Sequence, residues 1–99
     1  MRFEFNGNDA NVSFSGDLTF ADHMMFREIA DRLRASTDKT IVIDVANLDF
    51  IDSAGLGMLL IAREEARKLN RTLVLRGAKG QVGRMFGLTK FDTLFSVEA

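Results

Sequence analysis

Cysteine, proline, tryptophan and tyrosine are all absent from this chain of 99 residues. Without cysteine the chain can form neither disulfides nor thiolate metal sites, which fits a reducing compartment. The first residues, from Met1 to Asn6, mix charged and apolar side chains, so they lack the continuous apolar run of a signal peptide. No apolar run approaches the roughly 20 residues that a membrane-spanning helix requires. These absences predict a soluble, cytoplasmic protein without a membrane span.

A strong charge of one sign is also lacking. The chain has 13 basic and 14 acidic residues, interleaved along its length, and a net charge of −1. Nucleic-acid binding requires a basic patch or stripe, so direct binding of DNA or RNA is not predicted. Hydrophobic residues make up 46% of the chain, which is enough for a core. A chain of 99 residues is too short for two independent cores. We therefore expect a single domain over residues 1–99.

Hydrophobic periodicity predicts strands that alternate with helices. Period-two alternation over residues 2–5 and 12–14, around turn-forming residues 6–9, is typical of a β-hairpin. A helix is predicted over residues 20–35, with Thr19 as its N-cap and Asp22 near its positive end. The β-branched run at residues 40–45 predicts a strand buried on both faces.

The second half continues the alternation. A long helix is predicted over residues 53–69, a strand over 72–75, a short helix over 80–86 that Gly87 ends, and a last strand over 94–97. This order predicts an α/β fold, a mixed β-sheet with helices packed mainly on one face.

The segment FIDSAGLG at positions 50–57 runs out of the predicted buried strand and into the long helix. Ser53 stands where a helix N-cap is expected, and a serine hydroxyl in that position accepts a hydrogen bond from a backbone N–H. That role would account for Ser53 but not for the glycines, each of which costs about 1 kcal/mol relative to alanine inside a helix. Close packing on the sheet would explain Gly55. Gly57 lies on a different side of the helix from Gly55, so close packing on the sheet does not explain it. The bare backbone beside Ser53 is expected to serve another purpose.

A helical wheel divides the long helix into faces. The expected core stripe comprises Gly55, Leu59, Ala62, Ala66 and Leu69. The expected solvated face comprises Arg63, Glu64, Arg67 and Lys68. Gly57, Leu60 and Ile61 lie off the core stripe although they are apolar or bare. They form either a docking surface beside Ser53 or a patch that neighbouring loops cover.

Phosphorylation of Ser53 would add a charge of about −1.5 to −2 beside Asp52. The positive end of the helix would stabilise that charge, so the fold is expected to survive. A partner packed on the apolar surface would instead have to desolvate the phosphate. Loss of the complex with survival of the fold is the behaviour of a switch.

Taken together, these residues resemble the STAS-domain proteins, specifically the stand-alone anti-sigma factor antagonists of bacterial partner-switching systems. The matching core FIDSAGLG follows the strand IVIDV at 41–45 and the loop Leu48-Asp49. The resemblance extends to FSGDL at 14–18 and to VGRMFGL at 82–88, so it covers essentially the whole chain.

The resemblance implies a regulatory cycle that needs no cofactor. The serine that matches Ser53 is phosphorylated by an anti-sigma factor, a serine kinase of the histidine-kinase-like ATPase type, and a PP2C-type phosphatase resets it. The unphosphorylated antagonist binds the kinase and frees a sigma factor. Ala54 stands where a second Ser or Thr often follows, and Thr19 where many antagonists carry an acid. The alternative role of such domains is a non-switching scaffold or regulatory subunit of a sensory or membrane-transport complex.

Catalytic and metal sites are not predicted. Ser53 lacks the Gly-x-Ser-x-Gly elbow, and His23, the single histidine, is expected to be exposed without a carboxylate constellation. The glycine-rich residues 77–84 lack the Gly-Lys-Ser/Thr of a phosphate loop. Asp44 ends a central strand as a receiver-domain phosphoacceptor does, but no acidic pair follows the first strand. We therefore predict a binding module with Ser53 as phosphoacceptor. The predicted partner-binding residues are Asp17, Thr19, Asp52, Ser53, Ala54, Gly55, Gly57, Leu60 and Ile61.

Overall fold

A five-stranded sheet forms the centre of the computed structural model, which describes residues 1–5 and 11–98, with Asp92 as backbone only. The predicted turn at residues 6–9 lies outside the described residues. The strands are β1 Arg2–Phe5, β2 Val12–Leu18, β3 Thr40–Ile51, β4 Thr72–Arg76 and β5 Ser96–Glu98. They lie side by side in chain order, β1 antiparallel to β2 and every other neighbouring pair parallel. The mixed α/β fold is thereby confirmed.

The first two strands pair as the alternation predicts. Phe3 lies opposite Phe14, and Phe5 lies opposite Val12. The second strand runs beyond residues 12–14 to Leu18. Within it Gly16 adopts a φ of +85°, and the register with β3 shifts immediately after this residue. Such a bulge re-aims the side chains that follow it.

Within residues 1–5 and 11–98, four helices accompany the sheet, and the first begins later than predicted. Their bounds are α1 Phe26–Ala35, α2 Ser53–Lys68, α3 Gly80–Leu88 and α4 Phe91–Leu94. The prediction of one helix over residues 20–35 is wrong in its first part, where a 3-10 turn covers Phe20–Asp22. There the Asp22 N–H donates to the Thr19 carbonyl and the His23 N–H to the Phe20 carbonyl. In these bonds an N–H group donates to the carbonyl oxygen three residues earlier, so the turn is tighter than an α-helical one. The Asp22 side chain in this segment is bonded to the Met1 amine and the Thr19 N–H.

Two predictions near the C-terminal end are corrected. Gly87 does not end α3, because the helix continues to Leu88 and the Thr89 hydroxyl donates to the Met85 carbonyl oxygen at 2.7 Å. The predicted last strand over residues 94–97 begins instead at Ser96. The chain before it forms the helical turn α4, and the ring of its Phe91 stacks on those of Phe86 and Phe95 in the core.

The hydrophobic core lies on one side of the sheet. One continuous cluster contains buried side chains from all four helices and from the three central strands. In β3, Ile41, Ile43 and Val45 belong to this cluster, whereas Val42 and Asp44 on the opposite face are half-buried. The predicted burial of this strand on both faces is therefore wrong, because the helices cover only one of them.

No helix among residues 1–5 and 11–98 combines the length and the apolar character needed to cross a membrane.

Candidate functional site

Asp52, rather than Ser53, is the N-cap of α2. Its backbone is extended, with φ −101° and ψ −179°, and its Oδ1 accepts a hydrogen bond from the Gly55 N–H at 2.7 Å. A carboxylate at this position also lies at the positive end of the helix dipole. The predicted N-cap role of Ser53 is wrong, because the Asp52 carboxylate accepts the hydrogen bond from the first turn of the helix, at the Gly55 N–H. Ser53 is the first residue of the helix.

The same carboxylate ties α2 to the end of β2. The Phe20 N–H donates to Asp52 Oδ2 at 3.4 Å, and the Asp52 N–H donates to the Leu18 carbonyl oxygen at 3.2 Å. The chain that leaves β2 therefore passes directly beside the first turn of α2. One acidic side chain thus assembles two segments that are more than thirty residues apart in sequence.

The two predicted site residues at the end of β2 have different environments. Asp17 is exposed and pairs with Phe50 in the β2–β3 register, so its side chain is accessible to a partner. Thr19 is half-buried, and its N–H donates to Asp22 Oδ2 at 2.9 Å. Thr19 therefore shapes the turn, while Asp17 contributes charge at the surface.

Asp22 is the buried acidic residue that holds this turn. Its Oδ1 lies 3.0 Å from the amino nitrogen of Met1, and its side chain is 8% exposed. Burial by itself raises the pKa of this carboxyl. The hydrogen bond from the Thr19 N–H and the ion pair with the Met1 amine outweigh burial and hold the pKa below 3.8.

Replacing the carboxylate by an amide, Asp22→Asn, is expected to lower the free energy of unfolding by about 1 to 2 kcal/mol near neutral pH. Since the folded-state pKa is lowered, the stabilisation is complete above the unfolded value of 3.8 and is lost as pH falls through the folded value. Urea denaturation of the wild type and of Asp22→Asn at about pH 7 and about pH 3 measures the difference between their free energies of unfolding, which is expected to shrink at the lower pH. A stability gap that stays the same at acid pH would contradict it.

The two glycines of α2 do different things. A Cβ atom added at Gly55 would lie 2.5 Å from the Leu18 carbonyl oxygen and 2.8 Å from Ile51 Cγ1. A Cβ atom added at Gly57 would have no neighbour within 4 Å. The prediction that Gly55 allows close packing on the sheet is confirmed. Gly57 leaves open space on the surface one turn after Ser53, which is itself exposed.

The apolar residues beside Ser53 are covered unequally. Ile61 is 63% exposed, whereas Leu60 is half-buried and packs against the core cluster. Ala54 is half-buried as well. Of the two alternatives that the sequence left open, exposure holds for Ile61 and partial coverage for Leu60. Ser53, Gly57 and Ile61, at four-residue spacing, form a stripe along the helix that we call the Ser53 face.

Sequence reasoning missed the aromatic residue that borders this face. Phe20 is 66% exposed although its N–H is bonded to the α2 cap, and its ring stacks on His23 with centroids 4.9 Å apart. His23 in turn lines an apolar cavity of about 190 Å³, shared with Met58 and Ile61, between α1 and α2. The sequence did hold one indication of its exposure, because Phe20 lies outside the apolar stripe of the predicted helix.

Gln81 was missed as well, since nothing in its local sequence marks it. Its Oε1 accepts the Ile51 N–H and its Nε2 donates to the Ile51 carbonyl oxygen, both at 2.9 Å. This reciprocal pair fixes α3 against the last residue of β3. Ser53, two residues later, is therefore held by contacts from β2, α3 and the cap.

The arrangement presents a hydroxyl group at the positive end of a sixteen-residue helix, beside an accessible apolar surface. The described residues contain no group of three or more metal-ligating side chains close enough to hold an ion. His23 is exposed, as predicted, and its Nδ1 lies 2.9 Å from the Phe20 carbonyl oxygen.

Comparisons with known proteins identify the family. The sequence model of the family described as "Mlab, STAS domain" matches residues 1–96. A STAS-domain containing protein of Pseudomonas aeruginosa is 29% identical over 92 residues, which cover 93% of this chain and 90% of that protein. BtrV of Bordetella bronchiseptica, named as an anti-sigma factor antagonist, is 33% identical over 73 residues, covering 71% of this chain and 63% of BtrV.

The fold has a close counterpart among solved structures. The unphosphorylated form of the anti-sigma factor antagonist SpoIIAA superposes with a TM-score of 0.79 at 19% identity, covering 99% of this chain and 86% of that one. The family resemblance stated from the sequence is confirmed by the match over residues 1–96. The chain belongs to the STAS-domain family.

Proposed function

We propose that this protein is a partner-switching anti-sigma factor antagonist of the cytoplasm, a binding module rather than an enzyme. Unphosphorylated, it binds an anti-sigma factor that is also a serine kinase of the histidine-kinase-like ATPase type. Phosphorylation of Ser53 releases that kinase, and a PP2C-type phosphatase restores the binding form. The observation that carries the proposal is the exposed Ser53 hydroxyl at the first position of α2, with capping done by Asp52.

The separation of the two roles supports a switch. A serine that capped the helix would be lost as a cap on modification, at a cost of about 1 kcal/mol. Here Asp52 Oδ1 holds the Gly55 N–H and Asp52 Oδ2 holds the Phe20 N–H. Ser53 can therefore change its charge while the hydrogen bonds that build the site persist.

The surroundings of Ser53 give the modification its effect. A phosphate there carries about −1.5 to −2 charge and meets the favourable helix dipole within this protein. A partner that covered Phe20 and Ile61 would have to bury the same charge against apolar surface. Burying an unpaired charge costs several kcal/mol, so the complex is destabilised far more than the fold.

The relatives support the partner class. BtrV and SpoIIAA are both named as anti-sigma factor antagonists, and BtrV shares 33% of the aligned residues. The kinase and phosphatase follow from the resemblance of the FIDSAGLG segment to that group. Ala54 provides no second hydroxyl beside Ser53, so one modification per molecule is expected.

The experiment that tests the proposal is intact-mass measurement of the protein purified from its native host, with mapping of the modified residue. A fraction that carries one phosphate on Ser53, and that changes with growth condition, supports the switch. Pull-down with the unphosphorylated protein then identifies the partner, which is expected to be a protein with a histidine-kinase-like ATPase domain. Absence of phosphate under every condition, including incubation with ATP and host extract, would contradict the proposal.

A second candidate is a non-switching scaffold or regulatory subunit of a sensory or membrane-transport complex. The observation that favours it is the family model itself, whose description names Mlab and not the antagonists. The same pull-down separates the two, since a transporter ATPase or a receptor complex would be recovered in place of a soluble kinase. In that case Ser53 is expected to carry no phosphate.

The substitution Ile61→Lys is expected to weaken the complex about tenfold while the melting temperature stays within about 2 °C. The side chain of Ile61 is exposed, so a lysine there meets water in the free protein and the partner in the complex. Calorimetric titration and thermal denaturation measure the two effects. The control is Leu59→Ala, at a fully buried position, which is expected to cost about 3 kcal/mol. If both variants melt equally early, Ile61 belongs to the core and the Ser53 face is wrong.

A further inference from the structure

A second concave site lies at the other end of α2. It has a volume of about 360 Å³ and is bounded by the second half of α2, the start of β4 and the α4–β5 segment. Three arginine residues line it, Arg63, Arg67 and Arg71. The hydroxyl-bearing residues on its wall are Thr72, Thr93 and Ser96. Fourteen helical residues, or about 21 Å, separate Ser53 from Arg67, so this cavity is distinct from the Ser53 face.

The helical wheel predicts Arg63 and Arg67 on a solvated face, and Arg67 is exposed as predicted, whereas Arg63 is not. Arg63 is half-buried, because its Nε donates to the Leu94 carbonyl oxygen at the end of α4. Arg71 is half-buried too, with Nη1 bonded to the Leu33 carbonyl oxygen. Backbone contacts therefore orient two guanidinium groups at the cavity.

Among the described residues, most N–H donors of these three guanidinium groups form no hydrogen bond. Each guanidinium carries five N–H donors. The hydrogen bonds described use two from Arg63, one from Arg67 and one from Arg71. The remaining donors form no hydrogen bond among the described residues.

Charge neutralisation is incomplete as well. Arg63 and Arg67 share a single acceptor, Glu64 Oε1, at 3.0 and 3.2 Å. Among the side chains that the structure describes, Arg71 forms no ion pair. The helix dipole accounts for basic residues in the last turn of α2, which includes Arg67. It does not account for Arg63 one turn earlier or for Arg71 beyond the helix end.

We infer that this cavity binds a small polyanion with at least two phosphate or carboxylate groups. Planar guanidinium groups bind both kinds of anion in bidentate fashion, and the hydroxyl groups of Thr72 and Ser96 on the wall add neutral donors, whereas the Thr93 hydroxyl donates to the Lys90 carbonyl oxygen. The volume falls within the range of small-molecule sites, whereas an acidic peptide would need a longer groove. The site does not depend on Ser53 or on the proposed switch.

The test is calorimetric titration of the full chain with inorganic pyrophosphate and, separately, with citrate, at low and at physiological salt. Saturable one-to-one binding of either ion with a Kd below about 1 mM is expected. The ion that binds more tightly identifies the natural ligand as a phosphate or a carboxylate compound. Backbone NMR shifts are expected at Thr72 and Ser96, and not at Ser53.

Arg67→Gln is the informative variant, because the Arg67 side chain is 61% exposed and, among the described residues, forms an ion pair with Glu64 alone. It is expected to fold normally and to weaken binding about tenfold. The matched control is Lys68→Gln, which removes the same charge from the next residue, outside the cavity, and is expected to change the affinity less than about twofold.

Three outcomes would overturn the inference. Absence of saturable binding of both ions at millimolar concentration is the first. Equal weakening by the two variants is the second, since it would reduce the effect to general electrostatic attraction. The third is binding of a hexaglutamate peptide, by the same titration, in the absence of pyrophosphate and citrate binding, which would assign the surface to a protein partner.

Discussion

A Ser53→Asp variant is expected to fold like the wild-type protein and to bind the partner recovered by pull-down at least about a hundredfold more weakly. Aspartate at the first position of a helix interacts favourably with the dipole, by about 0.3 to 1 kcal/mol. The N-cap bonds of Asp52 do not involve the Ser53 side chain, so they persist in the variant. In the complex, the added carboxylate is desolvated against the partner, and an unpaired buried charge costs about 2 to 5 kcal/mol.

Controls separate charge at this site from charge in general. Ser53→Ala is expected to bind constitutively, with an affinity close to that of the wild type. Thr37→Asp adds the same charge at an exposed position between α1 and β3, and it is expected to leave binding unchanged. Calorimetric titration gives the affinities and circular dichroism the stability. Unfolding of Ser53→Asp would assign Ser53 a structural role, and undiminished binding would remove the switch.

The glycine pair of α2 provides the second large effect. Gly55→Ala is expected to lower the free energy of unfolding by about 2 kcal/mol, because the new methyl group would clash with the Leu18 carbonyl oxygen, which is backbone. That loss already includes the gain of about 1 kcal/mol in helix propensity. Gly57→Ala gains the same propensity without a clash, so it is expected to stabilise the protein by up to about 1 kcal/mol.

Thermal denaturation distinguishes the pair by sign. A loss of about 2 kcal/mol corresponds to a melting temperature about 10 °C lower in a chain of this size, and Gly57→Ala is expected to melt slightly later than the wild type. If Gly55→Ala melted with the wild type, the helix would be able to move away from Leu18. The close approach of α2 to β2 would then not be what positions Ser53.

The elements with strong periodicity could be predicted from the sequence alone. Local alternation and the i, i+3, i+4 pattern located the hairpin strands, the long helix α2 and the strand β4. In these elements the positions that face the core must be apolar, so the apolar residues recur with the period of the strand or the helix. Segments that depend on distant partners were predicted less well. The turn before α1 needs the Met1 amine and Asp22, which are 21 residues apart.

The same division runs through the candidate site. The sequence by itself determined the family and the presence of two unusual glycines, and it predicted Ser53 as the phosphoacceptor, since these are properties of one short segment. Only the tertiary structure assigned the cap to Asp52, exposed Ile61 while covering Leu60, and brought Phe20 to the site. The physical reason is that exposure and hydrogen-bond partnership depend on which chain segments lie side by side, and local pattern holds no information on contacts made over thirty residues of sequence.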